Sequence, residues 1–331
     1  MANSYPIETI PAAAISEIIG GTPAVVIETD GNNSIIESLK RLNAHSEYTL
    51  YHTNPGIGQL AQTLQRTAES GIKTIVLCGN RPPIIKSLIS SALSAALISP
   101  GSEDSSPWGM PYQAISQPTF EEFAHLGYQT YRYHKETLSH LRSSYFQELR
   151  LGVLRSDISL AEPLLRTKEY IFIDLNSVRH SDFPDNKFSS PNGLYAEELC
   201  QLARYIGMGQ SIKSIFIYGY PSDLKADSVS AALTAELIWH IVEAISSNII
   251  EDPSNAANDD LFLRKIVSMG QEGQDLVFVT SSSTGRWWME VPRLKEGDFL
   301  YFPCSNSDYL TACSGEVPLR WLFFFQKINP N

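Results

Sequence analysis

An acidic residue stands at the end of one of the most apolar runs in this sequence. Residues 170–173 are Tyr-Ile-Phe-Ile, and Asp174, Leu175 and Asn176 follow them. A short continuous apolar run of this kind predicts a fully buried strand. In α/β proteins, ligands bind at the carboxyl ends of the parallel strands. The sequence therefore places the Asp174 carboxylate, with the Asn176 amide two residues later, at the edge of the sheet where ligands bind.

Polar or small residues also follow three other strand-like apolar runs, at 74–77, 95–98 and 214–218. These residues are Asn80 and Arg81 after the first run, Ser99, Gly101 and Glu103 after the second, and Gly219 after the third. Parallel strands end at the same edge of a sheet. We therefore expect the strand ends at Cys78, Ser99 and Asp174 to converge on one cleft.

The elements that must position these residues alternate along the chain between strand-like and helix-like segments, which predicts a mostly parallel sheet with helices on both faces. The predicted strands are residues 24–28, 48–52, 74–78, 95–99, 128–133, 170–174 and 214–220. The predicted helices are residues 34–42, 59–70, 82–93, 136–149, 195–207 and 228–247. The expected fold is a three-layer α/β/α domain with about eight mainly parallel strands.

The pattern changes after residue 253. Three short strand-like segments (276–280, 286–292 and 298–303) follow one another with turns between them, as in an antiparallel meander. We therefore predict two parts, an α/β domain over residues 1–253 and a small β-rich C-terminal appendage over residues 254–331. The many aromatic residues of the appendage predict that it packs on the main domain.

Composition limits the classes of function. The 331 residues carry a net charge of −11, and no run of Lys or Arg supports a nucleic-acid interface. The four cysteines form no Cys-x-x-Cys pair, and His125, His134 and His140 lack the spacing of metal ligands. The N-terminal residues do not resemble a signal peptide, and no apolar run is long enough for membrane insertion. We expect a cytoplasmic protein.

The order and spacing of these strand ends, together with the segment 174–208, resemble the ureohydrolase superfamily of arginase, agmatinase and formimidoylglutamase. The resemblance covers roughly residues 20–250 and implies the arginase-like fold. The segments around Arg286 and Pro303 are similar to those of a divergent bacterial branch that is called formimidoylglutamase-like.

In metal-dependent ureohydrolases, these strand ends carry the ligands of a binuclear metal centre. The resemblance implies that Arg81, beside Asn80, replaces a histidine ligand, and that Asn176 replaces an aspartate. It also implies that Ser99, Gly101 and Glu103 replace aspartate, histidine and aspartate. Asp174 is then the only retained ligand. Gly219 falls where the family has the acidic residue that holds the substrate.

Charge arithmetic argues against a metal pair. In the family, about four carboxylates face two divalent cations. Here only Glu103 and Asp174 are anionic, and Arg81 adds a positive charge, so the mutual repulsion of two cations would stay uncompensated. Without metals, no hydroxide nucleophile forms near neutral pH. No cofactor is expected. The sequence favours a non-catalytic member of this fold that binds or scaffolds an unknown protein partner or copies of itself, without nucleic acid or membrane insertion.

Two alternatives remain open. One is a hydrolase of guanidino or formimino compounds that works with one metal, Mn²⁺, or with none; its acidic candidates are Glu103, Asp174 and Asp182. The other is an enzyme of different chemistry in the same cleft. Because a buried Asp174 needs a cation or a proton, we further expect the Arg81 guanidinium within about 4 Å of Asp174 or Glu103.

Overall fold

The computed structural model of the chain describes these residues: 5–17, 22–81, 93–101, 120–133, 135–143, 146–187, 190–255, 260–269 and 274–330. Within it the chain divides into two compact units, Met1–Asn248 and Ile249–Asn331. The division lies a few residues before the boundary that composition places at residue 253.

The first unit contains a nine-stranded sheet in which every neighbouring pair of strands is parallel. Its strands are β1 (Ile7–Thr9), β2 (Ala24–Glu28), β3 (Leu50–Thr53), β4 (Lys73–Leu77), β5 (Leu93–Ile98), β6 (Phe120–Tyr128), β7 (Gln147–Arg150), β8 (Tyr170–Asp174) and β9 (Ser214–Tyr218). Their order across the sheet is β1-β3-β2-β4-β9-β8-β5-β6-β7. The sequence predicts about eight strands, and β1 and β7 are not among the segments it locates.

Helices cover both faces of this sheet. The α-helices of the first unit within the described residues are α1 (Ser34–Leu39), α2 (Leu60–Glu69), α3 (Lys135–Ser143), α4 (Leu151–Ser156), α5 (Glu162–Leu165), α6 (Ala196–Gly207) and α7 (Val229–Ser246). The predicted helix at 82–93 lies almost entirely outside the described residues. The three-layer arginase-like architecture is confirmed.

Side chains alternate between two hydrophobic cores because successive residues of a strand point to opposite faces. Val26 and Ile75 pack with α1, α6 and α7 on one face. On the other face, Phe172 and Phe216 stack with ring centroids 4.8 Å apart. Burial of each such ring contributes roughly 1.5–3 kcal/mol, which fixes the strands whose ends carry the cleft residues.

Helix α7 is long and apolar enough to cross a membrane by length and composition, but 67% of it is buried inside the protein. It begins at Ser228, whose hydroxyl accepts a hydrogen bond from the Ala231 amide (3.1 Å). Near its end, the buried Glu243 carboxylate accepts hydrogen bonds from the Tyr48 hydroxyl (2.9 Å) and the His45 amide (3.0 Å). These contacts are those of a core helix.

Two predicted elements are wrong. The sequence pattern predicts a strand over residues 128–133, but the strand β6 ends at Tyr128 and a 3-10 helix, Thr130–Arg132, follows it. The pattern also predicts one helix over residues 136–149, but α3 ends at Ser143 and residues 147–150 form β7. Pairing of β7 with β6 overrides the local helical pattern there.

The second unit contains a four-stranded antiparallel sheet, β10-β11-β12-β13, and two helices. Their bounds are β10 (Phe262–Val267), β11 (Leu276–Ser281), β12 (Trp287–Arg293), β13 (Asp298–Cys304), α8 (Asn306–Cys313) and α9 (Leu319–Ile328). Phe278, Met289 and Trp321 belong to its core. The three predicted strands are present, whereas β10 and the helices were not predicted. Packing of this unit on the first stays a prediction.

Candidate functional site

The sheet order brings the predicted strand ends together. Strands β4, β9, β8, β5 and β6 are consecutive neighbours, so the segments after them leave the sheet side by side. The Gly219 amide after β9 donates a hydrogen bond to the Gly79 carbonyl after β4 (2.8 Å). A Cβ atom placed on Gly219 would lie 2.5 Å from Asp174 Oδ1, so the ends of β9 and β8 are also in contact.

Asp174 is the centre of this region. One of its carboxylate oxygens, Oδ1, accepts hydrogen bonds from the Asn176 backbone amide (3.0 Å) and from the Asn176 side chain (2.7 Å). The carboxylate therefore caps the short 3-10 helix Leu175–Ser177. Burial raises the pKa of Asp174 to about 6, and the two hydrogen bonds from Asn176 only partly offset that increase.

The Asn176 side chain is also fully engaged. It is buried, its amide nitrogen binds Asp174, and its carbonyl oxygen accepts a hydrogen bond from the Lys187 amide (3.0 Å). It connects the end of β8 to the long loop that leads to α6. Asn176 therefore stabilises this loop, and its side chain does not point a free oxygen at a ligand.

Gly219 leaves no room for the acidic residue that the resemblance implies at this position. Its backbone φ is +91°, which disfavours residues with a side chain. A Cβ atom placed on it would lie 2.5 Å from Asp174 Oδ1 and 2.7 Å from Asn176 Nδ2. The Asp174–Asn176 pair therefore occupies the space into which a side chain at residue 219 would extend.

Ser99 is bonded to a histidine that the sequence did not identify as part of the site. The Ser99 hydroxyl lies 3.0 Å from His125 Nε2, and the Tyr133 hydroxyl lies 3.1 Å from His125 Nδ1. Burial lowers the pKa of His125 to about 3, so its imidazole is neutral near pH 7. His125 was missed because it lies within β6, which begins before the segment that the sequence pattern predicts as a strand. If the strand had been placed at the observed bounds of β6, the alternation of its side chains between the two faces of the sheet could have revealed His125.

Gly101 is closed off by the segment after β6. Its φ is +127°, and a Cβ atom there would lie 2.8 Å from the Arg132 side chain and 3.1 Å from the Tyr133 ring. A histidine cannot occupy this position without moving both neighbours. Glu103, the third residue of this predicted set, lies outside the described residues.

The expected contact of Arg81 with Asp174 is wrong, and the other expected partner, Glu103, lies outside the described residues. Arg81 and Asn80 are both exposed, and within the described part of the chain Arg81 forms no ion pair. The buried Asp174 carboxylate is stabilised by the Asn176 amides instead. Burial raises the pKa of Asp174 to about 6, so the carboxylate takes up a proton only below about that pH.

The residues present do not fit a binuclear metal centre. Within the described residues, Asp174 carries the one carboxylate among the candidate residues at the ends of β4, β5, β8 and β9. Its Oδ1 atom already accepts two hydrogen bonds from Asn176. Among the described residues, no three His, Cys, Asp or Glu side chains are grouped so that they could hold a metal ion. Divalent cations need several anionic or imidazole ligands, and the described residues at this edge of the sheet do not supply them.

Comparisons with known proteins agree with the fold. No protein-family model and no curated protein sequence matches the chain. Among solved structures, formimidoylglutamase from Bacillus subtilis superposes with a TM-score of 0.60 at 14% identity, covering 74% of this chain and 92% of that one. Formiminoglutamase from Trypanosoma cruzi with manganese gives 0.59 at 12% identity, covering 73% and 100%. Arginase from Medicago truncatula gives 0.52 at 14% identity, covering 71% and 92%.

The chain has the fold of the ureohydrolases. At these identities the similarity establishes the architecture, while the cleft chemistry must be derived from this chain's own residues.

Substitution of Gly219 tests whether Asp174 fills the space beside it. Gly219→Ala should lower the free energy of unfolding by about 1–2 kcal/mol for the positive φ and by about 1–3 kcal/mol more for the overlap with Asp174. Gly56→Ala is the matched control, because Gly56 also has a positive φ but has nothing near its Cβ position. Chemical denaturation measures the free energy of unfolding of both variants. Equal losses for the two variants would show that the space beside Gly219 is open.

The pKa of Asp174 predicts a pH-dependent stability. Because the folded-state pKa is raised from 3.8 to about 6, the folded state holds the proton more tightly than the unfolded state, so stability falls as pH rises through this interval. Asp174→Asn keeps an oxygen for both Asn176 donors and removes the charge. This variant should be more stable than the wild type by about 2–3 kcal/mol at pH 7.5 and nearly equal to it near pH 4. Denaturation curves of both proteins at the two pH values measure this difference in stability. A difference that does not change with pH would contradict the raised pKa of Asp174.

Proposed function

We propose that this protein is a non-catalytic member of the ureohydrolase fold that acts by binding or scaffolding. The observation that carries the proposal is that neighbouring side chains occupy the space beside two positions where the resemblance implies a metal ligand and the substrate-holding acid. Asp174 and Asn176 fill the space beside Gly219, and Tyr133 and Arg132 close the space beside Gly101.

The groups that remain at the cleft are poorly suited to hydrolysis. Ser99 and His125 lie at hydrogen-bond distance, as in a nucleophile–base pair. However, Ser99 is 3% exposed and His125 is 1% exposed, so a substrate carbon has no access to the serine oxygen. The low pKa of His125 also makes it a weak base near neutral pH. The pair therefore supports a packed interior better than an active site.

The alternative is a hydrolase of guanidino or formimino compounds, and the fold similarity supports it at the level of architecture. Formimidoylglutamase from Bacillus subtilis and formiminoglutamase from Trypanosoma cruzi with manganese are among the similar structures. For this chain to share that chemistry, Asp174 would have to release Asn176 and further ligands would have to come from outside the described residues.

If binding is the main role, the partner is either a different protein or further copies of this chain. The net charge of −11 disfavours nucleic acid as the partner. The buried position of α7 disfavours its use as a membrane anchor. We therefore place the partner among proteins and propose an aqueous, cytoplasmic setting.

A hydrolysis assay tests the proposal. The purified chain, incubated with Mn²⁺ and either a guanidino or a formimidoyl amino acid, should release no urea, ammonia or formamide above the protein-free rate. The reason is that no metal-bound hydroxide can form at a site without a ligand set. Formimidoylglutamase from Bacillus subtilis, prepared in the same way, is the positive control. Manganese-dependent turnover that Asp174→Asn abolishes would establish the hydrolase alternative.

A further inference from the structure

The edge strand β10 of the second unit is open to pairing with a further strand. Within the described residues it pairs with β11 alone, so the backbone groups along its outer side have no partner strand. Its register with β11 runs from Phe262 to Val267 without interruption. Leu263 is 58% exposed and Ile266 is 69% exposed. A regular, apolar edge of this kind is a template for adding a strand from another chain.

The other edge strands of the two described sheets are protected. In the first sheet, the edge strands β1 and β7 are three and four residues long. In the second sheet, the edge strand β13 contains Pro303, which donates no backbone hydrogen bond. Natural proteins use short strands and proline in this way to prevent edge-to-edge association. Strand β10 has six residues and no proline, so it lacks both kinds of protection.

The two cations of β10 do not protect its outer side. The Arg264 guanidinium forms an ion pair with Glu290 on β12. The Lys265 ammonium lies over the ring of Trp287, also on β12, at 5.1 Å from the ring centroid. Because both side chains reach across the sheet toward β12, their charges do not face a strand that approaches β10 from outside.

We propose that β10 pairs in antiparallel fashion with β10 of a second copy of this chain, with a two-fold axis at Ile266. The two four-stranded sheets then join into one continuous sheet. In this register Ile266 lies opposite Ile266 of the second copy, and Leu263 lies opposite Met269. Directly opposed residues are close enough to pack, so both exposed apolar side chains become covered. The contact is self-complementary, as in most homodimers.

The charges of β10 favour this register. With the axis at Arg264 or at Lys265, a cation would lie opposite the same cation of the second copy, which is destabilising. With the axis at Ile266, Arg264 lies opposite Ser268 and Lys265 lies opposite Val267. Two copies therefore pair without opposing like charges along the strand.

The ends of β10 disfavour the remaining registers. Residues 260 and 261 form part of a 3-10 turn, a conformation that does not pair as a strand does. An axis at either of the first two residues of β10 would place the second half of the strand opposite this turn. An axis at Val267 would place Ile266 opposite the polar Ser268. The axis at Ile266 is the one that covers both exposed side chains with apolar ones.

The pairing surface belongs to the second unit alone. It includes none of the strand-end residues of the first sheet, so it goes beyond the proposed loss of catalysis and does not depend on it. A hydrolysis assay and a measurement of self-association can therefore fail independently of each other.

Sedimentation equilibrium of the full chain tests the pairing. A contact between two six-residue strands is small, and small contacts are weak and transient. The fraction of dimer should therefore rise with protein concentration between about 10 µM and 1 mM. Ile266→Lys places like charges at the two-fold axis and should raise the dissociation constant by about tenfold. Leu319→Lys is the matched control, because Leu319 is exposed on α9 of the same unit, and it should leave the constant unchanged.

A cysteine at the axis tests the register. Ile266→Cys, in a chain whose exposed Cys313 is replaced by serine, should form a disulfide-linked dimer on mild oxidation. The reason is that directly opposed residues have Cβ atoms only about 4.5–5.5 Å apart. Leu263→Cys in the same background is the control, because the two copies of residue 263 would lie about 20 Å apart in this register. It should form no such link.

Three results would overturn the proposal. One is a wild-type chain that stays monomeric up to about 1 mM. Another is an oligomer whose dissociation constant is the same in Ile266→Lys as in the wild type. The third is a disulfide link that forms equally well in Leu263→Cys and in Ile266→Cys, because it would rule out the axis at Ile266.

Discussion

Two hydrogen bonds to one oxygen of Asp174 determine how the central part of the sheet edge is arranged. They hold the carboxylate against the Asn176 amides, and this position is available because Gly219 has no side chain. Asn176 in turn binds the Lys187 amide and so fixes the loop that leads to α6. An acidic residue at 219 and a metal at 174 would both require this arrangement to be dismantled. The region is therefore a packed junction between strands.

The scaffold of this chain and the chemistry of its strand ends depend on different residues. The parallel sheet, its strand order and the flanking helices depend on apolar side chains such as Val26, Phe172 and Phe216, which need only be of suitable size and shape. A binuclear metal site depends on a few charged ligands, and losing several of them leaves the fold intact. The fold similarity to solved structures at 12–14% identity concerns this scaffold alone.

Sequence predicted the fold well and the interactions within the cleft poorly, for physical reasons. Strands buried on both faces are continuous apolar runs, so β2, β4, β8 and β9 could be located directly. Strand β10 was missed because two charged residues interrupt its apolar run, and the start of β6 was missed because two glutamates interrupt the pattern there. The exposure of Arg81 and the contact of Ser99 with His125 depend on tertiary packing, which residue types do not encode. Gly101 and Gly219 follow β5 and β9, and only their positive φ values and close neighbours explain why they are glycines.

The manganese content of the chain tests the central claim most directly. The protein would be purified without chelators from cells grown with added manganese, and elemental analysis would give the metal bound per chain. The closed arrangement around Asp174 predicts manganese far below one ion per chain, and Asp174→Asn should leave that background unchanged. Stoichiometric manganese that disappears in Asp174→Asn would show that Asp174 releases Asn176 to bind metal, and would contradict a sheet edge closed by the Asp174–Asn176 pair.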